Sequence, residues 1–189
     1  FKLLYGTAFR EPGYSELAGV PQSNPDLTPE EISTYELEVS SQYSDVLFLR
    51  VNGFYSESEN LVQTVANPLS PVGASFDNAG NLKNRGINLM VEFQPWETLD
   101  LSANYAYLEA QKEGERWTAA DQTARHKLNV AINWLIPEFK ANVNIRSNFV
   151  AKRKAVATNN WIQDHENGYA PGYGKTNVTF TYKGIKDIE

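Results

Sequence analysis

The sequence lacks several features that define common functional classes. It contains no cysteine and only two histidines among 189 residues. The absence of cysteine excludes a disulfide framework and a thiolate metal site, and two histidines are too few for a three-histidine metal centre. No apolar run reaches the roughly 18 residues of a membrane-spanning helix. The formal net charge of −6 is unlike that of a nucleic-acid-binding protein, so we expect no nucleic-acid partner. We also expect no cofactor.

Aromatic residues, by contrast, are abundant, with ten tyrosines and nine phenylalanines. Apolar and polar side chains alternate along much of the chain with a period of two residues, which is typical of β-strands, and no helical period persists. The sequence therefore predicts an all-β protein. Eight segments show the alternation, at 1–10, 33–43, 46–56, 84–94, 98–108, 124–135, 139–152 and 174–183.

Each predicted strand has an apolar face and a polar face, and the alternation predicts that the charged residues lie on the polar faces. In 46–56, for example, Leu49 and Val51 oppose Arg50 and Asn52. A charge that faces lipid at mid-bilayer costs about 2–4 kcal/mol, so this segregation favours a transmembrane antiparallel β-barrel. A soluble β-sandwich, whose inner faces also exclude charge, is the alternative at this point. The function expected of such a sandwich would be carbohydrate binding.

The predicted connections favour the membrane barrel. Long segments at 11–32, 57–83, 109–123 and 153–173 alternate with short ones at 44–45, 95–97 and 136–138. Outer-membrane barrels have short periplasmic turns and long extracellular loops. Aromatic side chains fall near the short turns and near the long connections, as expected of the two interfacial belts of a membrane barrel. The belt near the short turns comprises Tyr43, Phe93, Trp96, Trp134, Phe139 and Tyr182, and the belt near the long connections comprises Phe9, Tyr35, Tyr55, Tyr105, Tyr107 and Phe149.

Several motifs occur in an order that resembles one family. The segment Tyr5-Gly6-Thr7-Ala8-Phe9-Arg10-Glu11-Pro12 is followed by Asn24-Pro25-Asp26-Leu27-Thr28-Pro29-Glu30 and by Thr34-Tyr35-Glu36-Leu37-Glu38. Further matches are Asn84-Arg85-Gly86-Ile87 and Arg125-His126-Lys127-Leu128-Asn129. This order resembles the barrel domain of TonB-dependent outer-membrane receptors, over essentially the whole chain.

The resemblance implies a barrel of about 22 strands filled by a plug domain. The chain, 1–189, is then expected to be a fragment from the C-terminal part of that barrel, without the plug and the final strands. A complete eight-stranded outer-membrane barrel with a structural or adhesion role is the alternative. The resemblance also implies localisation in the bacterial outer membrane, contact with its lipid, and partnership with the TonB complex.

The polar strand faces are expected to line the lumen, and the resemblance implies that they hold the plug. Glu36 and Glu38 share a face, but we interpret them as part of this lumen wall and not as an acid–base pair. No catalytic set and no resident metal site is predicted. The expected plug-contacting positions are Glu36, Glu38, Arg50, Glu92, Asp100, Arg125, Lys127, Lys140, Arg146, Lys152 and Lys175.

The expected activity is uptake of a chelated nutrient, with a ferric siderophore as the substrate. Residues 13–23 contain no histidine, whereas the haem-uptake branch of the family carries a ligand histidine in this interval, which disfavours haem. Arginine suits an anionic chelate, and aromatic rings give broad apolar contact. The candidate substrate-binding residues on the loops and the inner wall are Arg10, Tyr14, Arg116, Trp117, Arg146, Trp161, His165, Tyr169 and Tyr173.

Overall fold

A computed structural model describes residues 1–112, 114–118, 123–154 and 168–184. These residues form an antiparallel eight-stranded sheet in the order β1-β2-β3-β4-β5-β6-β7-β10, and a small sheet of β8 and β9. The elements are β1 Lys2–Arg10, α1 Tyr14–Leu17, β2 Glu30–Ser44, β3 Leu47–Ala66, β4 Ala74–Trp96, β5 Leu99–Lys112, β6 His126–Ile136, a 3₁₀ turn Pro137–Phe139, β7 Ala141–Val150, β8 Arg153–Lys154, β9 Tyr169–Ala170 and β10 Tyr173–Tyr182. Neither helix in the described part is long and apolar enough to cross a membrane.

The large sheet confirms the predicted all-β fold and the alternation of its two faces. Val39, Val51 and Leu89 lie side by side on the apolar face, and they are 51%, 45% and 38% exposed. On the opposite face the side chain of Glu38, a charged residue, is only 16% exposed. A water-soluble domain has the reverse distribution. The exposed apolar face is therefore the one that suits the hydrocarbon of a bilayer, and the polar face is the interior of the barrel wall.

The two ends of the sheet differ as the connection lengths predicted. Short turns join β2 to β3, β4 to β5 and β6 to β7, and the longer connections lie at the other end. The start of β7 differs from the prediction. Phe139 and Lys140 belong to the turn between β6 and β7 and not to a strand, because the N–H of Lys140 donates to the carbonyl of Pro137 at 3.0 Å and Lys140 adopts a left-handed φ of 47°.

The third and fourth strands are longer than their alternation indicated. The alternation predicts a loop over 57–83, yet β3 and β4 pair through most of it, as far as Ala66 and Ala74. The pairing shifts register beyond Ser58, where Asn60 has a left-handed φ of 57°. The bulge and the polar residues around it obscure the period of two. We call the part of this hairpin formed by residues 57–83 the β3–β4 extension.

The segment 11–29 folds onto the β3–β4 extension. The side-chain oxygen of Asn78 accepts the backbone N–H of Thr28 at 2.8 Å, and its amide nitrogen donates to the carbonyl oxygens of Thr28 and Asn60 at 2.9 and 2.6 Å. Asn24 donates its side-chain amide to the carbonyl of Phe76 at 3.1 Å. Because one amide satisfies three backbone groups, the connection is an ordered part of the long-loop end.

Aromatic side chains are exposed at both levels of the apolar face. Tyr43, Trp96 and Phe139 are 79%, 66% and 71% exposed near the short turns, and Phe9 and Tyr35 are 71% and 51% exposed towards the other end. Amphipathic rings at two levels are typical of the interfacial belts of membrane barrels.

The sheet is an arc of wall and not a closed barrel. Within the described residues, β1 pairs only with β2 and β10 pairs only with β7. The prediction of eight strands from a larger barrel agrees with this open arrangement.

Candidate functional site

The polar face carries two neighbouring groups of polar contacts at the start of the sheet. Lys2 Nζ lies 3.2 Å from Glu38 Oε1, and Arg50 Nε lies 3.8 Å from Glu38 Oε2. One residue row away, Asn52 Nδ2 donates to Glu36 Oε2 at 3.2 Å. Amide and charged side chains thus lie next to one another on the inner face. They can bind either a polar protein surface or a hydrated solute.

Arg10 organises the long-loop end of β1. Its Nε and Nη2 donate to the two carboxylate oxygens of Glu30, each at 2.7 Å, and its Nη1 and Nη2 donate to those of Glu16 at 2.9 and 3.2 Å. Glu30 also accepts the N–H of Val62 at 2.8 Å. This arrangement joins α1, β2 and the β3–β4 extension. The guanidinium is committed to two bidentate pairs, so its main role in the structure is anchoring.

The Glu16 carboxyl, which lies in the connection outside the sheet, is a strong acceptor. The hydrogen bonds from Arg10 come first in lowering its pKa, followed by the hydrogen bond from the N–H of Gly13, which is 2.6 Å long. Glu16 is therefore ionised at neutral pH and holds α1 against Arg10.

The predicted substrate-binding residues that lie in the described part of the chain do not gather in one place. Tyr14 is 80% exposed on α1, and Arg146 projects from the polar face of β7, in register with Ala131 and Asn177. Tyr169 lies in β9 with Lys152 Nζ 5.3 Å from its ring centroid. Trp161 and His165 lie outside the described residues. Arg116 and Tyr173 are exposed.

Trp117 lies on the other side of the wall. Its ring covers the guanidinium of Arg85 at 4.1 Å and meets Tyr55 edge-on at a centroid distance of 6.5 Å. Tyr55 and Arg85 are register partners on the apolar face. The ring of Trp117 therefore contacts the lipid-facing surface, and its contact with a substrate stays a prediction.

Sequence reasoning missed a charged cluster on the apolar face, next to Trp117. Arg85 donates to Glu109 Oε2 from Nε at 3.2 Å and from Nη2 at 2.9 Å. Arg125 Nη2 lies 3.6 Å from Glu109 Oε1. We call Arg85, Glu109, Arg125 and Trp117 the rim cluster. It corrects the expectation that the apolar faces carry no charge.

The sequence did contain a pointer to the rim cluster. Arg85 has the same parity as Ile87, and Glu109 has the same parity as Tyr107, so the alternation puts both charges among apolar neighbours. Because Arg125 shares parity with Lys127, the alternation predicts that it faces the lumen. The ladder of β6 begins only at His126, and a residue before the ladder is not bound by its alternation.

Metal-ligating residues are dispersed. Within the described ranges, no group of three or more histidine, aspartate or glutamate side chains is placed to hold a metal ion.

Comparison with known proteins identifies the family of this wall. Residues 1–188 match the family model described as TonB dependent receptor-like, beta-barrel. The chain belongs to the TonB-dependent receptor family, whose members are outer-membrane transporters of Gram-negative bacteria and not enzymes. The predicted family and localisation are thereby confirmed.

Solved structures share the fold at low sequence identity. The pyoverdine outer-membrane receptor FpvA of Pseudomonas aeruginosa PAO1 has a TM-score of 0.75 at 15% identity over 96% of this chain. The ferric-catecholate import receptor Fiu of E. coli K12 has a TM-score of 0.72 at 16% identity over 97%, and the copper transporter OprC has 0.68 at 15% over 97%. The chain spans 27%, 26% and 28% of the respective lengths, so it corresponds to about a quarter of each.

Proposed function

We propose that this chain forms part of the barrel wall of a receptor that imports a chelated nutrient across the outer membrane, with a ferric siderophore as the substrate. The family match over residues 1–188 is the observation that carries the proposal. Two of the structurally similar proteins are a pyoverdine receptor and a ferric-catecholate import receptor. The remainder of the receptor supplies the plug domain and the contact with TonB.

The polar face supports a role in holding the plug. Glu36, Glu38 and Arg50 present charged groups on the inner face of β2 and β3, and Asp100 accepts a hydrogen bond from Asn133 at 3.1 Å. These groups suit a plug that must be held by polar contacts and released when energy is supplied.

Among the candidate substrate contacts, Arg146 and Tyr14 have the positions that favour the role. Arg146 is an exposed cation on the inner face, and Tyr14 presents an exposed ring from the ordered segment 11–29. Arg116, Tyr169, Trp161 and His165 are further proposed contacts on the long connections. Arg10 already has two carboxylate partners, so we expect it to act on the substrate only through the shape of α1.

Uptake of iron-55 ferric siderophores by cells that produce the complete receptor, in a strain without other siderophore receptors, tests the proposal. We expect uptake that stops when the proton gradient is collapsed with an uncoupler. Uptake of a copper salt alone, or of ferric siderophore without dependence on the gradient, would contradict it. A growth panel of catecholate, hydroxamate and mixed chelates then identifies the substrate class.

Substitution of Arg146 tests the inner-face contact. A hydrogen bond to a charged group contributes about 1.5–3 kcal/mol, so Arg146→Ala should weaken binding of an anionic ferric chelate by roughly tenfold or more. Arg146→Lys keeps the charge without the planar fork and should recover part of that loss. Unchanged affinity in Arg146→Ala, measured by fluorescence quenching on the purified receptor, would remove this residue from the site.

A further inference from the structure

The charged side chains of the inner face divide the wall into two parts. On β1 to β4 they are largely paired with one another, since Glu38 lies between Lys2 and Arg50, and Arg10 lies against Glu30. Outside the β3–β4 extension, the charged inner residues of these four strands are Lys2, Arg10, Arg50, Glu30, Glu36, Glu38 and Glu92. Cations and carboxylates alternate there, so this part of the wall is close to neutral.

The inner face of β6, β7 and β10, by contrast, carries charge of one sign. Its charged residues are Lys127, Arg146 and Lys175, and all three are exposed. The three strands contain no aspartate or glutamate on either face. This part of the wall is therefore cationic.

The charges next to this face do not cancel its excess. The inner face of β5 adds one acid, Asp100, and one base, Lys112. The acid accepts a hydrogen bond from a neighbouring amide on β6. Glu92 lies three strands away from Arg146 along the same row. The turn between β6 and β7 adds one acid and one base, at 138 and 140.

The donors of the cationic face are not used within the described part of the wall. Lys127, Arg146 and Lys175 form no salt bridge with a described residue, and Asn129 and Asn148, which are register partners, donate no side-chain hydrogen bond to one. In β2 to β4 the amides instead form a chain that ends on a carboxylate. Groups that are paired within a wall need no further partner, whereas unpaired donors bind water or a solute that supplies acceptors.

The three cations descend from the long-loop end one row at a time. Lys127 is in the row nearest that end. Lys175 is in the next row, beside Asn148, and Arg146 is in the row after that. Successive rows on one face are two residues, or about 7 Å, apart. Towards the short turns the inner positions carry mainly amides and hydroxyls, at Asn133, Asn142, Asn144, Thr179 and Thr181.

Such a series suits the passage of an anion and not its permanent retention. Charges of one sign that line a narrow space raise the local concentration of counter-ions. Several weak sites at short intervals let an ion enter and still leave, because no single site binds it strongly. Exposed cations in successive rows, surrounded by amides, meet both conditions.

We propose that the inner face of β6, β7 and β10 is the track along which an anionic solute crosses the barrel, while the plug stays in contact with the self-paired face of β1 to β4. The inference rests on the proposed function, in which that solute is an anionic ferric chelate. It assigns Lys127 and Lys175 to passage of the substrate, in succession with Arg146, where the family resemblance implied contact with the plug.

Single cysteines in the complete receptor, with any other cysteine replaced, test where the track lies. Asn148→Cys is on the track, and Asn52→Cys is the matched control, because Asn52 is an inner-face asparagine of β3 beside Glu36. Energised cells are treated with an anionic thiol reagent, sulfonatoethyl methanethiosulfonate, or with a cationic one, trimethylammonioethyl methanethiosulfonate. We expect Asn148→Cys to react and Asn52→Cys to be protected by the plug. Heat-modifiable migration in gel electrophoresis verifies that each variant is folded.

The charge preference of the labelling tests the role of the cations. After normalisation to free cysteine, the anionic reagent should react with Asn148→Cys roughly tenfold faster than the cationic one, because charges that line a cleft change encounter rates by about 10–10³-fold. Adding Lys127→Gln and Lys175→Gln should remove most of this preference. Lys127→Arg with Lys175→Arg keeps both charges and should retain it.

Three results would overturn the proposal. The first is protection of Asn148→Cys from both reagents, which would put the plug on β6, β7 and β10. The second is labelling of Asn52→Cys as fast as that of Asn148→Cys, and the third is an equal normalised rate for the two reagents at Asn148→Cys. An anionic preference in a receptor that takes up no ferric siderophore would support the track and overturn only the proposed substrate.

Discussion

Gly86 shows how a single residue sets the local packing of the wall. A Cβ at this position would contact the carbonyl oxygen of Tyr107 and come within 2.6 Å of the Phe54 ring. Phe54 is the register partner of Gly86 on the inner face, so the ring covers the glycine directly. The pair fills one position in the sheet that two ordinary side chains would overfill.

We expect Gly86→Ala to destabilise the folded receptor by about 1–3 kcal/mol, the usual range for overpacking. Denaturant-induced unfolding in lipid vesicles, followed by tryptophan fluorescence, measures the change. Gly6→Ala is the control, because there is open space at Gly6, and its midpoint should match that of the wild type. A wild-type midpoint for Gly86→Ala would show that both the Phe54 ring and the Tyr107 carbonyl shift without cost.

The Glu16 carboxyl makes the segment 11–29 sensitive to acid. Its pKa in the folded state is lowered from 4.5, chiefly by the Arg10 hydrogen bonds. The stabilisation from a lowered pKa is complete above the unfolded value and is lost as the pH falls through the folded value. We expect amide hydrogen exchange in residues 11–29, corrected for its intrinsic pH dependence, to accelerate only below about pH 4.5.

Glu16→Gln provides the control for this pH effect. It removes the titrating group but keeps the Arg10–Glu30 pair, so exchange should be faster at pH 7 and its acid dependence weaker. The same acid dependence in wild type and Glu16→Gln would assign the effect to another group.

At the scale of the strand, function follows from which face a side chain occupies. Leu89 and Asn88 are consecutive in β4, yet Leu89 is on the lipid-facing row with Val51, and Asn88 is on the inner row with Asn52. The same alternation places Arg146 inside and Arg85 outside. The chemistry of each surface is therefore set by parity along the strands.

We expect Leu89→Lys to cost about 2–4 kcal/mol of folding stability in a bilayer, because it puts a charge into hydrocarbon. Asn88→Lys introduces the same charge on the polar face and should cost far less, since it loses only a 3.4 Å hydrogen bond to Asn52. Reversible folding into vesicles at increasing urea measures both. Equal costs for the two variants would contradict the assignment of the faces.

At the scale of the whole molecule, the described sheet has two open edges. β1 and β10 do not pair with each other in the described part of the chain. Each has a free edge with unpaired N–H and C=O groups, which cannot be left unsatisfied in a bilayer. The apolar face is half-exposed over several strands, so the wall is stable only when closed and surrounded by lipid.

The 189-residue chain produced alone should therefore fail to form a closed barrel. We expect no heat-modifiable band after refolding in detergent and aggregation on dilution, whereas the complete receptor should show the band. A compact, heat-modifiable species from the chain alone would instead support the complete eight-stranded barrel that the sequence left open.

The sequence by itself determined the all-β class, the positions of eight strands, the polarity of most faces and the family, because a period of two and short motifs are local properties. It did not determine the strand pairing in 57–83, since the bulge near Asn60 interrupts the alternation there. Only the tertiary structure brought Arg10 between Glu16 and Glu30, and placed Trp117 on Arg85 beside Glu109. Such contacts join residues far apart in the chain, and the register of several strands and the path of the loops decide them together.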